Sequence, residues 1–571
     1  MGPPLRDRAV SQRAGGLLRQ APRITLALML APVAAGLAGT IAPAFGLEGG
    51  PDLEAFRALA AWPGLGASVR LSLVTGFVAT ALALALTLLI LALLPGGRLF
   101  EALLRLLSPL LAVPHAAVAL GLAFLIAPSG WIARALSPWA TGWQAPPDLL
   151  TLNDPAGLAL IAGLVAKEVP FLLLMSLAAL PQTDAQRRLM LAESLGYGRA
   201  AGWVFGVLPA LYAQIRLPCY AVLAYSMTAV EMAMILGPTR PPTLSVQIAL
   251  WMADPALAER GRGAAAALLQ LALVLGALGL WRTGEILGRR LLLRAAAGGW
   301  RAPALDRVLR PLTLGGTALA LAAVMLGLAG LGLWSVAGLW TFPDALPQSV
   351  SLRVWQEAAP SLARHAALTL GIAAAVAMAA LALTLACLEA EARHGLSPSP
   401  RAIAALYLPL IVPQVAFLPG LQVAALSLGL DGTPMAVAAA HLVFVLPYVF
   451  LSLSAPWRAW DPRIGTVGAA LGASPGRIFW RLRLPMLLRP VLTAFAVGMA
   501  VSVGQYLPTL LIGGGRVSTL TTEAVALSSG GNRRIVGAYA LLQMILPAAA
   551  FAGALVLPAL LFRRRRGLRL A

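Results

Sequence analysis

Charged residues are scarce in this chain of 571 residues: they make up 11% of it, against roughly 25% in an ordinary soluble domain. Hydrophobic residues make up 59%, and the mean hydropathy is +0.83. A water-soluble fold of this size needs a charged surface that so few charges cannot supply. The composition therefore predicts an integral membrane protein, and it excludes a soluble enzyme, a secreted disulfide scaffold and a disordered regulator.

Cysteine and lysine are nearly absent. Cys219 and Cys387 are too few for a disulfide framework, and neither has a metal-ligand partner nearby in the sequence. The single lysine, Lys167, is not part of a Gly-Lys-Ser/Thr motif, so the chain cannot be its own P-loop ATPase. Metal-ligand spacing is also missing among the four histidines, which we interpret as hydrogen-bonded helix residues: His115, His365, His394 and His441. The sequence predicts neither a catalytic site nor a metal site.

The formal net charge of +21 comes from arginines that cluster at the ends of apolar segments. Such clustering indicates orientation in a membrane rather than binding to nucleic acid. Arginines are most frequent before the first apolar segment, in the centre of the chain and in the C-terminal tail. The positive-inside rule then predicts that both termini are cytoplasmic. The tail could bind anionic lipid, but we favour a plain cytoplasmic anchor.

Twelve apolar runs are long enough to cross a bilayer of about 30 Å. The first six lie near residues 24–46, 68–94, 106–127, 156–180, 217–237 and 264–281. The second six lie near residues 311–340, 365–388, 402–428, 434–456, 488–512 and 536–562. The fold class predicted is all-α and membrane-spanning.

The two sets of runs repeat each other. Gly196 and Pro209 match Gly472 and Pro485 at a shift of 276, which then continues without a gap as far as Leu244 and Leu520. Upstream, Pro114 matches Pro413 at a shift of 299. Because each half has an even number of spans, both halves have the same orientation, and a pathway is expected at their interface.

The repeat predicts a division of the chain into five parts. These are a cytoplasmic arm (1–23), a first half (24–281, core 68–281), a basic cytoplasmic linker (282–310), a second half (311–562, core 363–562) and an arginine-rich cytoplasmic tail (563–571).

The repeated glycine-to-proline segment lies between spans four and five of each half, on the cytoplasmic side. It predicts a helix, a break at the glycine and a second helix, with the proline ending the unit. Such an element suits docking into the groove of a partner.

This segment resembles the "EAA" loop of permease subunits in binding-protein-dependent ABC importers, in which it docks on the ATP-hydrolysing subunit. Two departures stand out: Met190-Leu191-Ala192 and Thr466-Val467-Gly468 replace the Glu-Ala-Ala triplet. By this resemblance, the candidate coupling residues are Ala192, Glu193, Leu195, Gly196, Leu208, Pro209, Ala470, Leu471, Gly472, Leu484 and Pro485.

Residues 505–529 are similar to the fused permeases of the thiamine, ferric-iron and sulfate importer group, and most to the Ynj-type permeases. The resemblance implies a MetI-like fold in the inner membrane, and a transport subunit without catalysis or bound cofactor. Its expected partners are two ATPase subunits carrying ATP and Mg²⁺, a substrate-binding protein at the outer face and membrane lipid, but no nucleic acid. It leaves the substrate open.

Three ionisable residues lie within predicted spans: Lys167 and Glu168 in the fourth and Glu231 in the fifth. Buried charges cost about 2.5–3.5 kcal/mol each on insertion scales, so they normally face partners or water. Two interpretations stay open, a lining of the substrate pathway or an ion pair of Lys167 with Glu231. Weaker pathway candidates are Gln414, Gln505 and Tyr506.

An ion-gradient-driven secondary transporter is the alternative function, because twelve spans in two parallel halves also fit that class. The segment between spans two and three, PGGRLFEALLR, lacks the charged glycine-rich loop usual there. The paired cytoplasmic loops would also have no role in such a transporter. The sequence therefore favours the importer, working by alternating access.

Overall fold

The computed structural model describes residues 5–46, 52–396 and 398–563. These residues form helices joined by loops, and the extended pairing among them is one isolated bridge, Ala337 to Val350. The helices of the first half are α1 (Leu5–Ala44), α2 (Glu54–Ala60), α3 (Leu65–Leu93), α4 (Arg98–Ala112), α5 (His115–Ile126), α6 (Trp131–Leu136), α7 (Leu158–Ala179), α8 (Ala185–Ser194), α9 (Arg199–Gly202), α10 (Leu208–Thr228), α11 (Glu231–Leu236), α12 (Leu244–Ala253) and α13 (Leu257–Ala297). Those of the second half are α14 (Leu305–Ser335), α15 (Arg353–His394), α16 (Pro400–Ile411), α17 (Gln414–Ser427), α18 (Pro434–Arg458), α19 (Pro462–Ala470), α20 (Pro475–Ile478), α21 (Leu484–Met486), α22 (Leu488–Gly504), α23 (Leu507–Gly513), α24 (Leu520–Ser528) and α25 (Arg533–Leu561).

The described residues contain ten helices long and apolar enough to cross a membrane, and up to twelve spans if two bent helix pairs are counted. One bent pair is α16 with α17, at 86°. The other joins Pro475–Met486 to α22, at 76°. With both included, the spans agree with the twelve predicted, six in each half.

Four spans are interrupted, at positions that correspond between the halves. In the third predicted span, α4 ends before Val113 and Pro114, and α5 follows. In the ninth, α16 ends before Val412 and Pro413, and α17 follows. Proline has no N–H to donate and disfavours a helical conformation of the residue before it, which favours an interruption at these positions. The fifth and eleventh spans are interrupted between α10 and α11 and between α22 and α23.

Some predicted boundaries differ from the structure. The predicted span 217–237 contains an interruption, and its helical stretch already begins at Arg199. The predicted linker 282–310 is mostly helical, because α13 continues to Ala297 and α14 begins at Leu305. The chain leaves α13 at Gly298 and Gly299, the latter with φ +68°. The arm is helical from residue 5 onward, and the tail beyond residue 563 lies outside the described residues.

The first span of each half packs against helices of the other half. Helix α1 packs on α17 of the second half, and α14 packs on α5 of the first half. Glycines allow both contacts: a Cβ on Gly39 would lie 2.8 Å from Cα of Gly420, and one on Gly121 would lie 2.9 Å from the carbonyl carbon of Gly327. Because lipid gives no hydrophobic drive between helices, such close backbone packing stabilises their association. The halves are therefore interlocked.

Candidate functional site

The two predicted cytoplasmic loops have the same backbone. The first consists of α8, Gly196 and α9, and the second of α19, Gly472 and α20. The glycines have φ of +80° and +83°, which side chains disfavour. The next residue donates its N–H to the carbonyl five residues back, at 3.1 Å in the first loop and 3.0 Å in the second. This is the hydrogen bond of a glycine helix end.

Each second helix leads through a π-helical turn into the following span. The turns are Trp203–Val207 and Phe479–Arg483, which differ by the same shift of 276. Pro209 and Pro485 then lie in the first turn of α10 and α21. The prolines therefore begin the next helix instead of ending the unit, because the first turn needs no N–H from them.

Leucines after the first helix of each loop point into solvent. Leu195 is 61% exposed and Leu471 is 83% exposed. The remaining predicted coupling residues are exposed or half-buried: Ala192, Glu193, Gly196, Leu208, Pro209, Ala470, Gly472, Leu484 and Pro485. Large apolar side chains at matched exposed positions are typical of an interaction site.

The second loop carries an apolar groove of about 360 Å³, lined by Arg463, Ile464, Val467, Gly468, Leu471 and Leu482. The contact between the two helices of each loop involves a glycine, but the glycine is on the second helix in the first loop and on the first helix in the second loop. In the first loop, a Cβ on Gly202 would lie 2.9 Å from Cβ of Ala192. In the second, Gly468 faces the larger Ile478 and Leu482. The loops thus keep one backbone but present different surfaces.

Lys167 caps the interrupted third span. Its ammonium donates to the carbonyl oxygens of Leu110, Leu111 and Val113 at 3.1, 3.2 and 2.5 Å. In a continuous helix the Leu110 carbonyl would accept from residue 114, but Pro114 has no N–H to donate. A cation is also favoured at the C-terminal end of a helix.

Of the two interpretations of Lys167, the structure does not show the ion pair with Glu231 among the described residues, and the lysine contacts backbone carbonyls instead. Glu231 instead accepts a hydrogen bond from Tyr225 Oη at 2.9 Å. It is the first residue of α11, where a carboxylate is favoured by the helix dipole.

Glu168 lies beside a histidine that the sequence interpretation missed. His115 Nε2 is 4.0 Å from Glu168 Oε1, and the His115 side chain is 32% exposed. The His115 ring also lies 4.8 Å from that of Tyr225. A usable sequence signal was present, since His115 directly follows Pro114 and therefore begins the second segment of an interrupted span. By contrast, His365 and His441 are hydrogen-bonded to other side chains, as predicted.

The interruptions of the two halves meet near this cluster. Tyr506 Oη donates to Met234 Sδ of the first half at 3.3 Å, and the rings of Phe171 and Tyr448 are 6.5 Å apart. Gln414 begins α17 as His115 begins α5, and Gln505 lies buried at the end of α22. Glu231, Gln414, Gln505 and Tyr506 thus lie at the ends of broken helices, whereas Lys167 and Glu168 lie within α7. Phe444, which is the residue of the second half that corresponds to Lys167, stacks on Phe417.

Comparison with known proteins decides the family. Over 533 residues the chain is 34% identical to the inner membrane ABC transporter permease protein YnjC of Escherichia coli, which covers 92% of this chain and 94% of that protein. The chain belongs to the family of ABC transporter permeases. A stretch of 76 residues, 13% of the chain, is 36% identical to the molybdenum transport system permease protein ModB of Mycobacterium tuberculosis and of Mycobacterium bovis, over 29% of those proteins. No family model matches the sequence.

As an ABC transporter permease, the chain is a multi-pass protein of the inner membrane and a transport subunit. Its helices form the importer permease fold predicted from the paired loops. Permeases of this family work with ATPase and binding-protein partners. The membership favours an ATP-driven transporter over the ion-gradient alternative.

Proposed function

We propose that this ABC transporter permease forms, with both halves in one chain, the translocation pathway of an importer for a small solute. A binding protein delivers the solute at the outer face, and one ATPase subunit docks on each cytoplasmic loop. ATP and Mg²⁺ are bound by those subunits. Both termini of the permease are cytoplasmic, on the side of the arginine-rich segments.

The repeated helix–glycine–helix loop is the observation that carries this proposal. Both copies have the glycine in a left-handed conformation and a strongly exposed leucine just before it. An ATPase subunit with an apolar cleft would cover Leu195 in one loop and Leu471 in the other. Closure of two ATPases would then draw the loops together and reopen the pathway outward.

The interface between the halves supports the course of the pathway. Interrupted helices in transporters expose backbone groups and helix ends near the middle of the membrane, where substrates bind. Here His115 lies beside Glu168 in the first half, and Tyr506 of the second half contacts Met234 of the first. We place Gln414 and Gln505 on the same path, and Lys167 beside it as the cap of α4.

Copurification tests the docking of the ATPase. The tagged chain is purified in mild detergent as the wild type, as the double variant Leu195→Asp with Leu471→Asp, and as Leu428→Asp. Leu428 is a matched control, because it is 71% exposed but lies in the connection between α17 and α18, at the other end of the span. We expect an ATPase with the wild type and the control, and none with the double variant.

Two results would contradict the proposal. One is an ATPase retained by the double variant, which would exclude docking on these leucines. The other is a well-folded wild-type chain that brings down no ATPase under conditions that preserve membrane complexes.

A further inference from the structure

The connection between the two halves lies on the first cytoplasmic loop. The Gly198 N–H donates to the Arg301 carbonyl at 3.0 Å. The ring of Trp300 meets that of Phe205 edge-on, with centroids 6.2 Å apart. Residues 298–304 together with the first turn of α14, which we call the docked linker, therefore contact the loop through both backbone and side chains.

Asp306 of the docked linker caps the second helix of this loop. Its carboxylate accepts the N–H groups of Arg199 at 2.6 Å and Ala200 at 2.9 Å. The first N–H groups of a helix have no partner inside it, and a carboxylate is the favoured acceptor there. The cap comes from a residue 107 positions further along the chain.

The second loop caps itself. Ser474 is the N-cap residue of α20, and its side chain accepts the Arg477 N–H at 3.3 Å. The corresponding residue in the first loop is Gly198, which has no side chain to offer. The backbone angles of the two residues are nearly equal, with φ and ψ of −60° and 159° at Gly198 and −66° and 157° at Ser474. A serine at position 198 would thus be placed to cap α9.

The docked linker explains why position 198 is a glycine. A Cβ there would lie 2.8 Å from Cα of Pro303 and 3.0 Å from a carboxylate oxygen of Asp306. A side chain at position 198 would therefore displace the linker that supplies the cap. Glycine at position 198 leaves room for the linker, and Asp306 of the linker supplies the cap that a serine at position 198 would otherwise provide.

We propose that the docked linker is a built-in part of the first ATPase docking site, with Asp306 as its positioning residue. This inference rests on the proposed function. Asp306 holds α9, and with it the first loop, in the shape that the second loop keeps on its own. The ATPase subunit on the first loop also meets Trp300, which is half exposed, whereas the subunit on the second loop meets the open groove beside Leu471. The two docking sites are unequal, and the first depends on the link between the halves.

Hydrogen exchange of the purified full chain tests the cap without any partner. The variants are Asp306→Ala, the double variant Asp306→Ala with Gly198→Ser, and Ser474→Ala as the matched loss of the cap in the second loop. Loss of a helix cap should speed amide exchange about fivefold. We expect this for residues 199–205 in Asp306→Ala, a return to the wild-type rate in the double variant, and a separate effect on residues 475–481 in Ser474→Ala. Unchanged exchange of residues 199–205 in Asp306→Ala overturns the capping role.

Counting ATPase subunits per chain tests the docking role. In the purified complex we expect two copies with the wild type and a fall toward one with Asp306→Ala. Two copies bound to Asp306→Ala, despite faster exchange of the loop, overturn the docking role. The two proposals fail differently: a wild-type chain without any ATPase contradicts the proposed function, whereas the exchange rates decide the cap.

Discussion

At the scale of single residues, Lys167 shows how a buried charge in a membrane protein can be misinterpreted. Its sequence position suggests a partner of opposite charge, because isolated charges are costly in lipid. The structure instead provides three backbone carbonyls, freed by the interruption at Pro114. Carbonyls left without donors in the membrane carry a penalty of their own. These hydrogen bonds therefore stabilise both the buried ammonium group and the carbonyls at the interruption. The acidic residues near Lys167 are available for other contacts.

Replacing Lys167 by methionine should destabilise the protein. The change keeps the approximate length of the side chain but removes the donor to the carbonyls of Leu110, Leu111 and Val113, at a cost of about 1–3 kcal/mol or more. We expect a lower midpoint of thermal unfolding in detergent. Glu168→Gln is the control, since Glu168 is a buried neighbour whose polar contact is the 4.0 Å approach to His115. Equal unfolding midpoints for the wild type and Lys167→Met would show that the carbonyl contacts do not stabilise the fold.

At the scale of elements, the repeated features were predictable and the unrepeated ones were not. Matched glycines and prolines at a constant shift indicate the two loops, since only a few residue types tolerate those backbone positions. Among the described residues, the Asp306 contact has no counterpart in the second half, and it joins residues far apart in the sequence. The sequence feature related to this contact is the difference between Gly198 and Ser474, which occupy the same position in the two loops. That difference can be explained only once the position of the linker is known.

The packing of α1 on the second half and of α14 on the first half also could not be predicted from the sequence. In a soluble protein the apolar face of a helix shows which side is buried. Membrane helices are apolar on all sides, so the packing partner depends on small residues that permit close approach. Gly39, Gly121, Gly327 and Gly420 do so here, but 56 glycines in the chain offer many such positions.

Gly327→Ala should loosen the contact between α14 and α5. An added Cβ would lie 2.8 Å from the backbone of Gly121, which cannot move aside as a flexible side chain could. Overpacking of this kind typically costs about 1–3 kcal/mol. Gly332→Ala on the same helix is the control, because nothing lies within 4 Å of its added methyl group. Thermal unfolding in detergent compares the two, and an equal midpoint for both variants would contradict close packing at Gly327.

At the scale of the whole molecule, fusion of the two halves has left them similar in backbone and different in chemistry. Glu168 and Glu231, two buried acidic residues of the first half, correspond in the repeat to the apolar Val445 and Leu507 of the second half. The open groove belongs to the second loop and the docked linker to the first. Two separate identical subunits could not distribute these features in this way. A single chain can assign recognition of the solute mainly to one half while both halves keep a docking loop.

The orientation of the whole molecule can be tested by labelling single cysteines from one side. The native thiols do not interfere, because Cys219 and Cys387 are buried. Trp139→Cys and Leu471→Cys place thiols at strongly exposed positions, 77% and 83% for the native side chains, at opposite ends of the spans. Because most arginines accompany the Leu471 end, the positive-inside rule predicts that this end is cytoplasmic. A membrane-impermeant maleimide should therefore label Trp139→Cys in intact cells with a permeable outer membrane, and Leu471→Cys only after the inner membrane is opened. The reverse pattern would place both loops outside and exclude their docking on ATPase subunits, however well they are shaped for it.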